Sequence, residues 1–276
     1  FESTSAVTTT GATILTGLDA MPKTFLLYRQ FLQWLGGLGV VIFVVAVLPM
    51  LNAGGMRLIK ADTPGPIKDE KLTPRIASSA HRLLLIYLLM SLLCTLCYYL
   101  AGMNLYESVA HSLTTVSTGG FSTHDASMGY FNKSAILIVA DIFMLLGAIN
   151  FALHFRALHR KRADLYWQDE ETRCFLFIVI ALSLIITGAL LLTPDYAPPL
   201  QALNTATFHL ISFITSTGFA ADNIQQWPQA LIFLLIMASY IGGCAGSTAG
   251  GYKVIRSIIA CKLILLEQRR LIHPRG

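Results

Sequence analysis

The chain is predicted to be an all-α polytopic membrane protein, built from repeated units of helix, re-entrant helix, loop and helix. Three observations predict it: a charge-poor composition, apolar runs of bilayer length, and a Thr-Gly motif that returns at the same point between those runs. Hydrophobic residues make up 54% of the 276 and charged residues 13%, whereas a soluble domain carries about 25% charged residues. Mean hydropathy is +0.61.

The apolar residues cluster at 25–51, 83–101, 135–153, 174–192 and 231–241, and the stretch 254–266 continues the last run after a glycine-rich break. A helix needs roughly 20 apolar residues to cross a hydrocarbon core. Five spans are therefore expected, the last one interrupted. Basic residues orient them. All of the 20 Lys and Arg except Lys23, Arg29 and Lys133 lie within 57–82, 156–173 and 253–275, which the positive-inside rule assigns to the cytoplasm. The net charge of +5 then reads as topology and as affinity for anionic membrane lipids. Basic residues scattered through juxtamembrane loops form no single face, so no nucleic-acid partner is expected. Cys94 and Cys97 form a C-x-x-C inside an apolar run, where packing is the simpler reading than redox or zinc chemistry.

Between the runs lie two outward segments, 102–134 and 192–227, half apolar and too short for two more spans. Helices that dip into the membrane and return fit such segments. Each ends in a related motif, and the beginning of the chain carries it too: Thr8-Thr9-Thr10-Gly11, Val116-Ser117-Thr118-Gly119 and Thr215-Ser216-Thr217-Gly218. Aligned on Thr-Gly, they recur at spacings of 108 and 99 residues. A repeat of this size marks a duplicated structural unit. The expected organisation is 1–52 as the later part of a first repeat, 53–80 as a cytoplasmic loop and 81–160 as a second repeat. A second cytoplasmic loop follows at 161–172, a third repeat at 173–270, and 271–276 begins a linker toward a fourth.

Non-helical backbone at membrane depth must line a cavity or be buried in protein. Three such loops in equivalent places suggest one shared cavity, with the repeats arranged pseudo-symmetrically around an ion pore. A cation that sheds water there needs oxygen ligands, and rings of backbone carbonyls provide them. The expected potassium ligands are Thr9, Thr10, Gly11, Ser117, Thr118, Gly119, Ser216, Thr217 and Gly218. Glycine lets successive carbonyls point one way, and the C-terminal end of the preceding helix adds partial negative charge. The nearest carboxylates, Asp19, Asp125 and Asp222, lie further along, which favours a monovalent cation over an acidic ring for divalents. The plainer alternative is that Thr-Gly only caps a helix; three copies at one topological point count against it.

The returning helices contain Gly36-Gly37-Leu38-Gly39 and Gly147, readable as close packing. The run 242–251 differs. Gly242, Gly243, Gly246, Gly250 and Gly251 would each cost a helix about 1 kcal/mol against Ala, so a break is expected there. With Ser247 and Thr248 it is read as an intramembrane gating loop below the filter. A Walker A loop is ruled out by the missing Gly-Lys-[Ser/Thr], and no Gly-x-Ser-x-Gly or H-E-x-x-H is present, so no enzyme and no bound organic cofactor are expected. His111 and His209 read as packing or local hydrogen bonds, Asp141 as a structural pair, and His154 and His159 as interfacial.

Thr8-Thr9-Thr10-Gly11-Ala12-Thr13, Ser117-Thr118-Gly119-Gly120-Phe121-Ser122-Thr123-His124-Asp125 and Thr215-Ser216-Thr217-Gly218-Phe219 resemble successive filter loops of the bacterial Trk potassium-uptake proteins. Leu27-Tyr28-Arg29-Gln30, Gln33-Trp34-Leu35-Gly36-Gly37, Pro64-Gly65-Pro66 and Gly242-Gly243-Cys244-Ala245-Gly246-Ser247-Thr248 are similar to the membrane subunit of the H/G type in the Trk/Ktr/HKT superfamily. The resemblance implies a four-repeat pore related to potassium channels, with potassium as the transported ion and symport as one means of driving it. It further implies a multi-pass protein of the bacterial inner membrane, a homodimer, and a cytoplasmic nucleotide-binding regulatory subunit of the Trk A type. On this resemblance the chain is a fragment covering most of repeats one to three. A sodium-permeable or sodium-coupled transporter of the same superfamily is the alternative; the family's sodium-favouring members tend to replace a filter glycine by serine, so Gly11, Gly119 and Gly218 stand against it. An unrelated transporter with broken helices is the third option, opposed by the common direction of the repeats.

Overall fold

The computed structural model describes residues 1–47, 72–193 and 198–272. Most of the loop expected at 53–80, including Pro64-Gly65-Pro66, and the end of the linker expected at 271–276 lie outside them. Every regular element among the described residues is helical: α1 (Glu2–Val7), α2 (Lys23–Ile42), α3 (Leu72–Leu100), α4 (Leu105–Val116), α5 (Ser134–Ala148), α6 (Phe151–Arg160), α7 (Leu165–Gln168), α8 (Glu170–Leu191), α9 (Pro199–Ile214), α10 (Gln229–Ile241) and α11 (Val254–Ile272).

The sequence starts these helices in two ways. Asn104, Asn150 and Asp169 accept hydrogen bonds from the backbone N–H groups of Glu107, Ala152 and Thr172, at 2.9, 2.8 and 2.9 Å. Each satisfies a donor that the first turn leaves free. Pro22, Pro198 and Pro228 stand immediately before α2, α9 and α10, in positions where a missing N–H costs no helical bond.

The segments Lys23–Val45, Ala80–Leu100 and Glu170–Leu191 are long and apolar enough to cross a membrane. Of the other two expected spans, the one at 135–153 needs correction, and the last is interrupted as expected. The run 135–153 is no straight span, because α5 and α6 meet at 97°. Ile149 is extended, with φ −89° and ψ 154°, and Asn150 then caps a new helix. His154 secures the corner. Its Nε2–H donates to Leu146 O at 2.9 Å, and its Nδ1 accepts from the Tyr166 hydroxyl at 2.8 Å. His154, expected at the membrane interface, is buried within the protein. Beyond the corner α6 buries Phe151, Leu153 and Ala157 and exposes Arg156 and Arg160. The run 231–241 forms α10, apolar but only 13 residues long.

The units pack alike. The re-entrant helix α4 lies between α3 and α5 of its own unit and α2 of the unit before. In the same way α9 lies against α8 and α10 and against α5 of the preceding unit. Glycine permits the close approaches: a methyl built on Gly36 would lie 2.1 Å from Val7 O, and one on Gly37 2.7 Å from Ser117 Cβ. Buried polar groups are paired across the same interfaces, as Trp34 Nε1–H to Ser91 Oγ (2.9 Å) and between the Tyr98 and Thr115 hydroxyls (2.8 Å).

Candidate functional site

The three re-entrant helices end identically. After Val7, Val116 and Ile214 comes one capping residue, then a left-handed Thr9 (φ 54°), Thr118 (φ 51°) or Ser216 (φ 58°). Two residues later a left-handed glycine follows: Gly11 (φ 74°), Gly120 (φ 78°) or Gly218 (φ 85°). The bonding repeats as well. Thr10 and Gly11 donate to Ser5 O, Gly119 and Gly120 to Thr114 O, and Thr217 and Gly218 to Ser212 O.

These bonds correct the alignment. The equivalent of Gly11 and Gly218 is Gly120, while Gly119 stands with Thr10 and Thr217. The units are therefore offset by 109 and 98 residues, one residue from the Thr-Gly spacing. A glycine doublet allows both alignments, and the helix-end bonds select one. The sequence carries a signal for it: Gly120-Phe121 matches Gly218-Phe219, and His111 falls on His209.

The loops meet backbone to backbone. A methyl built on Gly11 would lie 2.0 Å from Gly119 O and 3.5 Å from Thr217 O; one on Gly120 would lie 1.8 Å from Thr217 O. The expected ligands Thr9, Thr10, Gly11, Ser117, Thr118, Gly119, Ser216, Thr217 and Gly218 thus belong to one cluster of three loops.

Side chains to which the sequence reading gave no role at the loops hold them. Gln33 of α2, fully buried, donates to Gly119 O at 2.8 Å and accepts from Phe121 N–H at 3.1 Å. Ser5 Oγ donates to Ala12 O at 2.6 Å, and Ser212 Oγ to Phe219 O at 2.7 Å. Arg29, also buried, pairs with Glu2 at 2.6 Å, donates to Thr13 Oγ1 at 3.0 Å, and stacks over the Phe121 ring. On the outer side Leu18 N–H donates to both Asp125 carboxylate oxygens at 3.2 Å. His124 hydrogen-bonds Asp19 and holds that carboxyl below the usual carboxylate range.

The glycine-rich run is non-helical from Gly242 to Lys253, as its composition predicts. It folds on itself: a methyl on Gly242, which has φ 74°, would lie 2.3 Å from Gly250 O. Gly243 and Gly250 share a backbone bond, and Ser247 Oγ donates to Cys244 O at 2.6 Å. The run reaches all three units. Cys244 N–H donates to Ala148 O (2.8 Å), Thr248 N–H to Gly147 O (3.1 Å), and Phe151 N–H to Gly246 O (3.0 Å). Thr248 Oγ1 lies 3.0 Å from Gly147 O and 3.1 Å from Val116 O at the base of the second loop. A methyl on Gly246 would touch Val45 at 3.1 Å, and one on Gly250 would touch Ser216 Oγ at 3.0 Å. Gly251, left-handed at φ 83°, leads to Lys253, whose ammonium donates to Ala249 O.

Glu171 of α8 closes the run. One of its carboxylate oxygens accepts from Ala245 N–H at 2.8 Å and from Ile255 N–H at 3.1 Å. A single buried side chain therefore ties both the run and the first turn of α11 to α8.

A model of the TrkH family, described as cation transport protein, matches residues 1–276. The chain belongs to that family. It is 48% identical over 281 residues to the Trk system potassium uptake protein TrkH of Vibrio parahaemolyticus, covering 100% of this chain and 57% of the relative. It is 42% identical to the Trk system potassium uptake protein TrkG of Escherichia coli K12, over 100% of this chain and 57% of that relative. The fold matches the crystal structure of the potassium transporter TrkH from V. parahaemolyticus with TM-score 0.88 and 44% sequence identity, covering 100% of this chain and 56% of the other. The chain thus spans little more than half the length of the relatives it matches. The family model is one of cation transport proteins, and the described residues include several apolar helices.

Proposed function

We propose that the chain forms three quarters of a potassium-uptake pore, with the loops at 9–11, 117–120 and 216–218 as its selectivity filter. The observation that carries this is the meeting of three equivalent loops, each at the C-terminal end of a re-entrant helix, with Gly11 and Gly120 where a side chain would strike a neighbouring loop's carbonyl. Carbonyls packed at that density can replace the hydration shell of a monovalent cation without a buried carboxylate. The helix ends add partial negative charge. Relatives named as potassium-uptake proteins support the choice of ion. Their bacterial sources support the inner membrane, and the Trk system name supports a multi-component assembly. A homodimer and a cytoplasmic nucleotide-binding regulatory subunit of the Trk A type complete the proposal.

Gly242, Gly243, Gly246, Ser247, Thr248, Gly250 and Gly251 form the gate in this scheme. The run leaves the third unit and hydrogen-bonds the second, and a methyl built on Gly246 would stand 3.1 Å from Val45 of the first. In this reading the run lies across the ion path on the inner side of the loops. Conduction then requires the bonds to Gly147, Ala148 and Glu171 to break, and a partner acting on α11 would break them by pulling at Ile255. Reconstitution into liposomes tests the whole reading. Protein expressed from its complete gene is expected to carry rubidium well ahead of sodium. Equal fluxes would favour the sodium-permeable alternative, and no cation flux would remove the proposal.

A further inference from the structure

The corrected register places three chemically different side chains at one position. Glu2, His111 and His209 each stand three residues before the carbonyl that closes the helix end, that of Ser5, Thr114 or Ser212. All three make the same kind of bond. Glu2 Oε1 accepts from Ile14 N–H and Thr13 Oγ1, both at 2.9 Å. His111 Nε2 bonds Ser122 Oγ at 3.0 Å, and His209 Nε2 accepts from Ala221 N–H at 3.4 Å. Each contact lands two or three residues beyond the left-handed glycine. Every loop is thus tied at the helix end by a backbone carbonyl and at the outer end by a side chain that skips across it.

The bonds define the chemistry. Ala221 N–H can only donate, so Nε2 of His209 is the bare nitrogen and Nδ1 carries the proton, donated to Thr205 O at 3.0 Å. His111 repeats the pattern, with Nδ1–H donating to Glu107 O at 3.0 Å and Ser122 Oγ donating to Nε2. Ser122 Oγ in turn accepts from His124 N–H at 3.1 Å. In the first unit a carboxylate does the same work, and its charge is matched by Arg29 at 2.6 Å. Both histidines are fully buried. What the three share is an acceptor aimed at the outer end of the loop; size, aromaticity and charge all differ.

We propose that Glu2, His111 and His209 are positioning residues for ion selection: each is an acceptor strut that sets the outer half of its filter loop. The inference rests on the loops being the filter. Without its acceptor the outer end of a loop is free to relax outward and accommodate a second ion size.

The test separates the two nitrogens of the ring. In His209→Gln the amide oxygen reaches the place of Nε2 and keeps the strut. In His209→Asn the amide reaches only the place of Nδ1, keeping the bond to Thr205 and losing the strut. The readout is the rubidium-to-sodium flux ratio in liposomes, using protein expressed from its complete gene. His209→Asn and His209→Ala are expected to lower the ratio about tenfold, with His209→Gln within about twofold of the parent. The same pair at His111 gives an independent reading in a second unit. Equal ratios for Asn and Gln, or an unchanged ratio in His209→Ala, would overturn the strut. So would failure of both Gln variants to accumulate as folded protein, since that assigns the histidines to folding. A parent without preference for rubidium would instead defeat the filter assignment beneath the inference.

Discussion

Replacing Gly120 by Ala should damage ion selection more than the same change at Gly119, although Gly119 belongs to the more conspicuous Thr-Gly pair. Two costs add at Gly120. Its backbone is left-handed at φ 78°, a conformation costing an L-residue roughly 1–2 kcal/mol. The new methyl would also stand 1.8 Å from Thr217 O, a backbone atom of the neighbouring loop. Restoring ordinary contact means moving one carbonyl by about 1.6 Å, far more than the difference in size between potassium and sodium. At Gly119 the methyl meets the end of the Gln33 side chain, 2.5 Å away. That side chain can swing aside, giving up two hydrogen bonds worth about 1 kcal/mol each. Gly218→Ala is the control: it is left-handed at φ 85°, but nothing lies within 4 Å of the added methyl. Rubidium and sodium fluxes measured in parallel should show the ratio falling at least about tenfold in Gly120→Ala and less in the other two. A protein that kept its selectivity in Gly120→Ala and lost it in Gly119→Ala would refute the register and the reasoning built on it.

Three further outcomes are expected. Glu171→Ala removes the acceptor shared by Ala245 and Ile255; losing about 2 kcal/mol from the closed arrangement should raise the resting open fraction about 30-fold, and unchanged resting flux would show that the run is not held shut there. Deleting several residues within 242–251 should raise potassium flux and weaken regulation, and a folded deletion with both at their original level would make the run simple packing. Gln33→Ala leaves Phe121 N–H without its partner and should lower the flux ratio by several-fold with little loss of folded protein; a drop in melting temperature with unaltered ratio would assign Gln33 to stability alone.

Much of the architecture was legible because it is local. Apolar runs of bilayer length mark the long helices, and the density of glycine at 242–251 announces a break whatever surrounds it. The bend at Asn150 was legible in principle, as a capping residue inside an apolar run, but hydropathy averages over a window and cannot see a turn. Register failed at the Gly119-Gly120 doublet, where the Thr-Gly pair outweighed the match of Gly120-Phe121 to Gly218-Phe219, and the bonds to Thr114 O settle it. The ties made by Gln33 and Glu171 were invisible for another reason. They act on residues 86 and 74 positions away, and nothing in their own neighbourhood signals a buried polar tie. His111 and His209 read as packing or local hydrogen bonds, and each does bond the carbonyl four residues earlier, yet their equivalence to Glu2 appears only once the register is right.

The filter assignment is tested most directly by locating the ion. Crystals of the protein from its complete gene, grown with rubidium and measured at its absorption edge, should place anomalous density between the loops at 9–11, 117–120 and 216–218, ringed by their carbonyl oxygens. Density that avoided these loops, or that sat against carboxylates such as Asp141 or Asp222 instead, would contradict the account.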